Sequence, residues 1–303
     1  MPYRDPRFPR FDVRPITGAL GAEICGVDLA NEGDPAVFAE VRRALDLHHV
    51  IAVRNQHLNP QTLHEVARRF GPFSGNPVHS PIDGFDDIVR FIREPDDTGK
   101  VIGEEWHMDL AWMEKPPGIT MLYGDVIPPV GGDTCFASLE QIYRTLSPRM
   151  IEMLRGFTGI YSGKGVFAIN ARHSRLGLRM DAANVDDVEV EHPIICAHPA
   201  TGQPYVFVAS VLNRFKGMTE AESKPIIDYV MGLAIRPEFT CRVRWEQGTL
   251  TMWDNPVVLH TAINDYSGHR RVTLRTTVEG WVPMAAPVVA ARAAASEATR
   301  AAA

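Results

Sequence analysis

The chain has 303 residues, 45% of them apolar and 22% charged, with a formal net charge of −6. That composition supports a sizeable buried core and argues against disorder as the dominant state. It also argues against a nucleic-acid binder, which needs clustered Lys and Arg, and no apolar run reaches the ~18 residues of a membrane-spanning helix. The opening MPYRDPRFPRFDVRP has no apolar segment of the secretory type, and Cys25, Cys135, Cys196 and Cys241 form no C-x-x-C pair. Both features lead to the expectation of a reducing cytoplasm and disfavour a disulfide scaffold or zinc knuckle.

In chain order, Asp34-Pro35 opens a helix with Phe38, Val41 and Leu45 as its buried stripe, and Val50–Val53 reads as a strand. Asn59 is an N-cap and Pro60 suits the first helical position, with Leu63, Val66, Ala67 and Phe70 at helical spacing before Gly71. Ile88–Ile92 and Ile119–Tyr123 read as strands, and Ser138 with Gln141 as a capping box for a helix facing inward through Leu139, Ile142, Tyr143 and Leu146. Pro204–Val208 is a further strand, and Ile226, Ile227, Tyr229, Val230 and Leu233 suggest a helix after Pro225. The strands Cys241–Trp245, Thr249–Trp253 and Arg271–Val278 follow. Many short strands between Gly and Pro turns point to a sandwich or barrel rather than a parallel sheet. No linker divides the chain, so one domain is expected over 1–284, with 285–303 as an Ala-rich tail whose only charges are Arg292, Glu297 and Arg300.

The chemistry-bearing residues begin with His107-Met108-Asp109. Side chains at i and i+2 of a strand share a face and can grip one ion. Alone the pattern is empty, because chance gives about one such His-x-acid pair in a chain with 11 His and 37 acidic residues. Its company changes that. Gly131-Gly132-Asp133-Thr134 places a hydroxyl at a strand start, Trp253-Asp254-Asn255-Pro256 ends a strand in a turn, and His260 follows as a third candidate ligand. Eleven residues on, Arg271 opens a strand that carries Arg271, Thr273, Arg275 and Thr277 on one face and Val272, Leu274 and Val278 on the other. The two guanidiniums then leave one face about 13 Å apart. A solvated sheet edge and a pair of anion sites flanking a metal are both open readings of that polar face.

These motifs, in this order and spacing, resemble the taurine / 2,4-dichlorophenoxyacetate dioxygenases, which depend on iron(II) and 2-oxoglutarate. The resemblance runs from Ile16-Thr17-Gly18-Ala19-Leu20-Gly21-Ala22-Glu23-Ile24 to the Arg275 strand. Val101-Ile102-Gly103 and Phe239–Trp245 look closest to the phenoxypropionate herbicide dioxygenases of that family. It implies a mixed α and β chain with a mainly β core, a double-stranded β-helix (jelly roll) with helices packed outside. It further implies His107, Asp109 and His260 as iron ligands, two imidazoles and a carboxylate that leave positions open for 2-oxoglutarate and O2. Arg271, assisted by the Thr134 hydroxyl, matches the residue that holds the far carboxylate of 2-oxoglutarate, a task a guanidinium fork suits. Oxidative decarboxylation to succinate and CO2 would be coupled to hydroxylation of an organic acid. A carrier-linked halogenase is disfavoured, because Asp109 occupies the position that chloride would need.

Arg275 matches the arginine that holds the substrate's anionic group. Where taurine dioxygenase has a His and a Tyr, this chain has Asn76 and His79 in Asn76-Pro77-Val78-His79, which disfavours taurine. The polarity of the same two residues disfavours aryloxy acids. Gly103 stands where the family has a substrate-contacting Asn and widens the pocket. The expected partner is a small to medium carboxylate, sulfonate or sulfate, with a homo-oligomer (dimer or tetramer) implied by the resemblance and no nucleic acid or membrane partner. The competing classes are a cupin-like metal enzyme that does not use 2-oxoglutarate and a catalytically silent binding protein. Trp106 and Trp253 read as core packing beside the site, Cys135 as a small buried side chain, and His48-His49 as a helix-end pair. His173, His192, His198 and His269 have no ligand spacing.

Overall fold

The structure is a computed structural model that describes residues 5–164 and 188–287, so His173, Arg292, Glu297 and Arg300 lie outside the described residues. Its centre is a seven-stranded sheet in the order β1-β2-β3-β13-β5-β15-β4. These strands are β1 Asp12–Pro15, β2 Ala22–Cys25, β3 Val50–Val53, β13 Leu250–Asp254, β5 Ile119–Val126, β15 Arg271–Val278 and β4 Val89–Arg93. All neighbours are antiparallel except β2 and β3. A three-stranded antiparallel sheet holds β12 Thr240–Val243, β6 Thr134–Ser138 and β14 Val258–Ala262 in that order. Two smaller groups complete the strands: β11 Leu212–Phe215, β7 Thr158–Ser162 and β8 Glu189–Pro193, and the pair β10 Pro204–Val206 with β9 Ile195–Ala197.

Side-chain alternation divides the large sheet between two cores. Ile51, Val53, Met252 and Leu274 pack with Val41, Leu45, Leu63 and Val66 of α1 (Pro35–His48) and α2 (Pro60–Arg68). Val50, Ala52 and Trp253 face the opposite way and pack with Phe136, Ala137, Val258 and Leu259 of the three-stranded sheet. Each fully buried side chain of this type is worth about 1.5–3 kcal/mol. The functional residues lie in the space between those two sheets. Strand β15 is paired on both sides, by β5 and β4, so it is no edge, and Thr273 and Thr277 of its polar face are buried, so that face points into the protein and the solvated-edge reading falls. Asp125 is bulged out of β5 where the register shifts from Val272↔Val126 to Thr273↔Gly124.

Local signals explain most helix starts. Asp34 caps α1 by accepting from Ala36, and Asn59 with Thr62 forms a reciprocal box at α2. Ser138 caps α3 (Leu139–Thr145) by one bond from Gln141, and Ser147 caps α4 (Pro148–Arg155), a helix the periodicity does not announce. The last helix, α5 (Glu220–Ala234), starts six residues before the expected Ile226. Thr219 and Glu222 cap it reciprocally, and Pro225 forfeits only one bond near its start. Ala286 donates to Ile195 and Ala285 bridges Cys196, so the first residues of the Ala-rich stretch lie against β9. Among the described residues, no helix is long and apolar enough to cross a membrane. The four cysteines are free, with Cys135 half-buried rather than buried.

Candidate active site and metal centre

His107 and His260 face one another across a single antiparallel bridge, the His107 amide donating to His260 at 3.0 Å and the reverse bond measuring 2.8 Å. Their rings lie 4.1 Å apart. The expected strand through His107 and Asp109 is therefore one bridge long. The chain turns immediately after it, with Leu110 at φ 50°. What aims Asp109 is Asn255, fully buried, whose Oδ1 accepts from the Asp109 amide at 3.0 Å while its Nδ2 donates to the Asp109 carbonyl at 2.9 Å. A second Nδ2 bond, to the Pro117 carbonyl at 3.1 Å, locks the clamp.

Asp109 Oδ1 lies 3.8 Å from His107 Nε2 and 3.7 Å from His260 Nε2, and one donor atom from each residue falls within 4.8 Å of the others. Its Oδ2 accepts from Thr120 Oγ1 at 2.8 Å and meets Arg275 Nη2 at 2.9 Å. Burial alone would raise the Asp109 pKa, but Arg275, then His260, His107 and the Thr120 bond hold it at about 2. Burial, with His107 and Arg275 beside it, keeps the His260 pKa well below the usual value despite Asp109, so its imidazole is neutral. His107 Nδ1 is 2.7 Å from the Glu105 carbonyl, which fixes the proton on Nδ1 and leaves the Nε2 lone pair toward Asp109. Two imidazoles and an ionised carboxylate form the donor set of a non-haem iron(II) site, and the residues fit that ion.

A cavity of about 220 Å³ opens on this trio and is lined by Thr134, Arg271, Arg275 and Gly103 as well. Arg271 lies between two rings, its guanidinium carbon 5.4 Å from the Trp245 centroid and 5.9 Å from that of Tyr266. Its Nε is buried without a hydrogen-bond partner, and burial lowers its pKa from the ordinary value against the pull of Tyr266 and Asp133. The Gly132 backbone (φ +71°) runs so close that a Cβ there would stand 3.2 Å from Tyr266 and 3.4 Å from Arg271. Phe91, Ile92, Val101, Ile102 and Leu122 form an apolar wall. Glu279 pairs with Lys115 and Asp265 with Arg242, so the carboxylate that meets Arg275 is that of Asp109.

Gly103 leans on the first histidine. Its φ is +76°, and a Cβ would stand 2.9 Å from His107 Cε1. Gly103→Ala should lower stability by about 1–2 kcal/mol through the left-handed backbone alone, and weaken metal binding by displacing the ring. Thermal unfolding and a metal titration check both effects, and an unchanged metal affinity would mean that the ring is not displaced.

Asn76 and His79 are not on the cavity wall. Asn76 Oδ1 turns onto its own backbone and accepts from Val78 and His79 at 3.0 and 2.9 Å. His79 is buried with its ring edge-on to Phe91 at 5.3 Å, one residue behind the wall. Trp253 is buried against Phe136 and His260 and also reaches the cavity. His48 ends α1, and His49 pairs with Glu140 at 3.0 Å. Sequence reasoning missed the roles of Thr120, Asn255, Trp245 and Tyr266; of these, Tyr266 alone stood outside the stretches already singled out.

A second group of metal-type side chains, Asp46, His198 and Asp254, lies elsewhere. There the Thr201 amide donates to His198 Nδ1 at 3.2 Å, which places the imidazole proton on Nε2, 2.8 Å from Asp254. That nitrogen has no lone pair to give an ion, so the group is a buried imidazole–carboxylate contact.

Residues 12–277 match the family described as taurine catabolism dioxygenase TauD, TfdA family. An alkylsulfatase of Acinetobacter baylyi is 30% identical over 90% of this chain and 86% of its own length. An alpha-ketoglutarate-dependent sulfate ester dioxygenase of Pseudomonas putida is 30% identical over 92% of this chain and 93% of its own. A crystal structure of a taurine dioxygenase from Burkholderia xenovorans superposes with a TM-score of 0.77 at 29% identity, covering 91% of this chain and 93% of that one. The chain belongs to the taurine catabolism dioxygenase TauD, TfdA family and is an oxidoreductase that depends on iron(II), 2-oxoglutarate and dioxygen.

Proposed function

We propose that His107, Asp109 and His260 hold the iron, that Arg271 and Thr134 anchor the far carboxylate of 2-oxoglutarate, and that Arg275 takes the acid group of the primary substrate. The observation that carries this reading is one cavity holding three metal-type donors and two inward guanidiniums. When bound, iron(II) with 2-oxoglutarate and O2 supplies the oxidation of a C–H bond, coupled to decarboxylation to succinate. The chain's own task is placement. Asn255 and Thr120 set the Asp109 carboxylate, the two rings set Arg271, and the apolar wall excludes water from the reacting carbon.

The substrate we infer is a small to medium organic anion, a sulfate ester, sulfonate or carboxylate, whose acid group meets Arg275 and whose apolar body lies along Phe91, Ile92 and Leu122. Hydroxylation beside a sulfate or sulfonate oxygen or sulfur would release that group. Succinate formation over a panel of such anions, with iron and ascorbate, tests this: release above the substrate-free rate is expected for at least one class, and none for any class would overturn it. Arg271→Ala should weaken 2-oxoglutarate binding by ~1.5–3 kcal/mol and Thr134→Val by about 0.5–1.5 kcal/mol, the worth of a charged and of a neutral hydrogen bond. Anaerobic titration of the iron(II) protein reads both, and a larger loss at Thr134 would reverse the principal anchor.

The large sheet and β12-β6-β14 facing it support a double-stranded β-helix spanning one domain over 1–284, with 285–303 as a tail. The free cysteines support work in the cytoplasm, and the exposed Val282 and Met284 support a homo-oligomer.

A further inference from the structure

We propose that Trp245 is a positioning residue for the cosubstrate, one indole that aims both the Thr134 hydroxyl and the Arg271 guanidinium at the same carboxylate. The proposal rests on the assignment of Thr134 and Arg271 to 2-oxoglutarate. It begins with strand register. Val243 of β12 pairs with Thr134 of β6, so Trp245, two residues on, emerges beside that hydroxyl. Its Nε1–H donates to Thr134 Oγ1 at 3.0 Å, and both side chains are buried.

A threonine hydroxyl has one proton and two acceptor sites. The indole N–H occupies an acceptor site, so the hydroxyl acts toward a ligand as a donor, the polarity a carboxylate requires. Among the described residues no acceptor takes that proton, and Thr134 lines the cavity. The flat of the same indole lies against the Arg271 guanidinium, whose buried Nε also has no partner. Two unclaimed donors thus meet in one corner of the cavity, each oriented by Trp245. Cation–π contact sets the plane of the guanidinium and the N–H bond sets the rotor of the hydroxyl, so less ordering remains to be done when the anion arrives.

The test is Trp245→Phe, which keeps a ring face and removes the N–H. Kd values for 2-oxoglutarate, for iron(II) and for the primary anion are measured anaerobically on the wild type, Trp245→Phe, Thr134→Val and the double variant. Trp245→Phe should weaken 2-oxoglutarate about three- to tenfold, the worth of one neutral hydrogen bond, with iron and substrate anion changed less than about twofold. In the Thr134→Val background the same substitution should cost less than about twofold, because the hydroxyl it directs is gone. Thr134→Ser should restore the full effect. Equal losses for all three ligands, or a full-size effect in the Thr134→Val background, would make Trp245 a packing residue and overturn the proposal. Should Trp245→Phe fail to fold, benzothienylalanine at position 245, with sulfur in place of the N–H, repeats the comparison at constant shape. If Arg271→Ala and Thr134→Val leave 2-oxoglutarate affinity intact, the underlying site assignment has failed; if they weaken it and Trp245→Phe does not, only the present proposal has.

Discussion

Replacing His107, Asp109 or His260 by Ala is expected to abolish turnover, and the three variants should differ in what else they lose. On the ligation proposed above, each takes one of three protein donors from the ion, a larger deletion than loss of an outer partner, which already costs ~10–100-fold in metal affinity. His260→Ala also opens a hole between Phe136 and Trp253, so its unfolding temperature should fall. His107 is partly exposed, at 26% for the side chain, and its removal should cost little stability. Asp109 is the informative case. From the sequence alone its carboxylate looks uncompensated without iron, so Asp109→Ala looks harmless to the metal-free fold. The structure gives that carboxylate Arg275 and Thr120 as partners, so the variant should destabilise the metal-free protein by leaving Arg275 buried and alone. Metal content after dialysis, turnover and thermal unfolding separate the three. Turnover within about threefold of wild type for any variant, under saturating iron, would remove that residue from the ligand set.

Arg275→Ala should be costly in two ways. In the metal-free protein it strips the counter-charge from a carboxylate that is 7% exposed, a loss of about 3 kcal/mol. In the iron-loaded protein the metal compensates Asp109, so the stability penalty should shrink while binding of the substrate anion is lost. The double variant Asp109→Ala/Arg275→Ala should be less destabilised than the two single losses added together, with a coupling on the order of 2 kcal/mol. Denaturant unfolding of the metal-free proteins measures the coupling; additive losses would mean that the 2.9 Å contact contributes nothing. Titration of the substrate anion and of 2-oxoglutarate into the iron(II) variant measures the second role, and equal weakening of both would take Arg275 out of the substrate site.

Much of this arrangement was legible before any coordinates, and the rest failed for identifiable reasons. Strands β3 and β15 match their predicted bounds because β-branched residues make up most of each run and turn signals bound it. The α1 and α2 starts follow from Asp34-Pro35 and Asn59-Pro60, where a side-chain acceptor and a preset φ act together. The α5 start was obscured because Pro225 reads as a boundary while the stronger Thr219–Glu222 cap lies upstream. Strands such as β8 (EVEHP) and β11 (LNRF) carry little apolar alternation and form only against β7. Within the site, His107, Asp109, His260, Thr134, Arg271, Arg275 and Gly103 all reach one cavity, since their motifs sit on strand ends that the sheet pairing brings together. Asn76 was ambiguous, because an Asn fits a polar pocket as well as a turn that satisfies its own backbone, and its Oδ1 accepts from Val78 and His79. The Asp109–Arg275 pair and the Asn255 clamp join residues 166 and 146 positions apart, and no local pattern reports a contact at that range.

The order of the large sheet has a consequence for biosynthesis. Strand β5, completed by residue 126, lies between β13 and β15, which end at residues 254 and 278. Throughout elongation of the intervening chain both edges of β5 therefore lack their partners, with its backbone N–H and C=O groups unpaired. Unpaired apolar edges invite pairing with other nascent chains, which makes this interval the one in which misassembly competes with folding. The same order fixes when iron can be acquired. Thr120 waits on β5 while Asn255, His260 and Arg275 are still unmade, so on the ligation proposed above the growing polypeptide lacks its third donor until residue 260 is made.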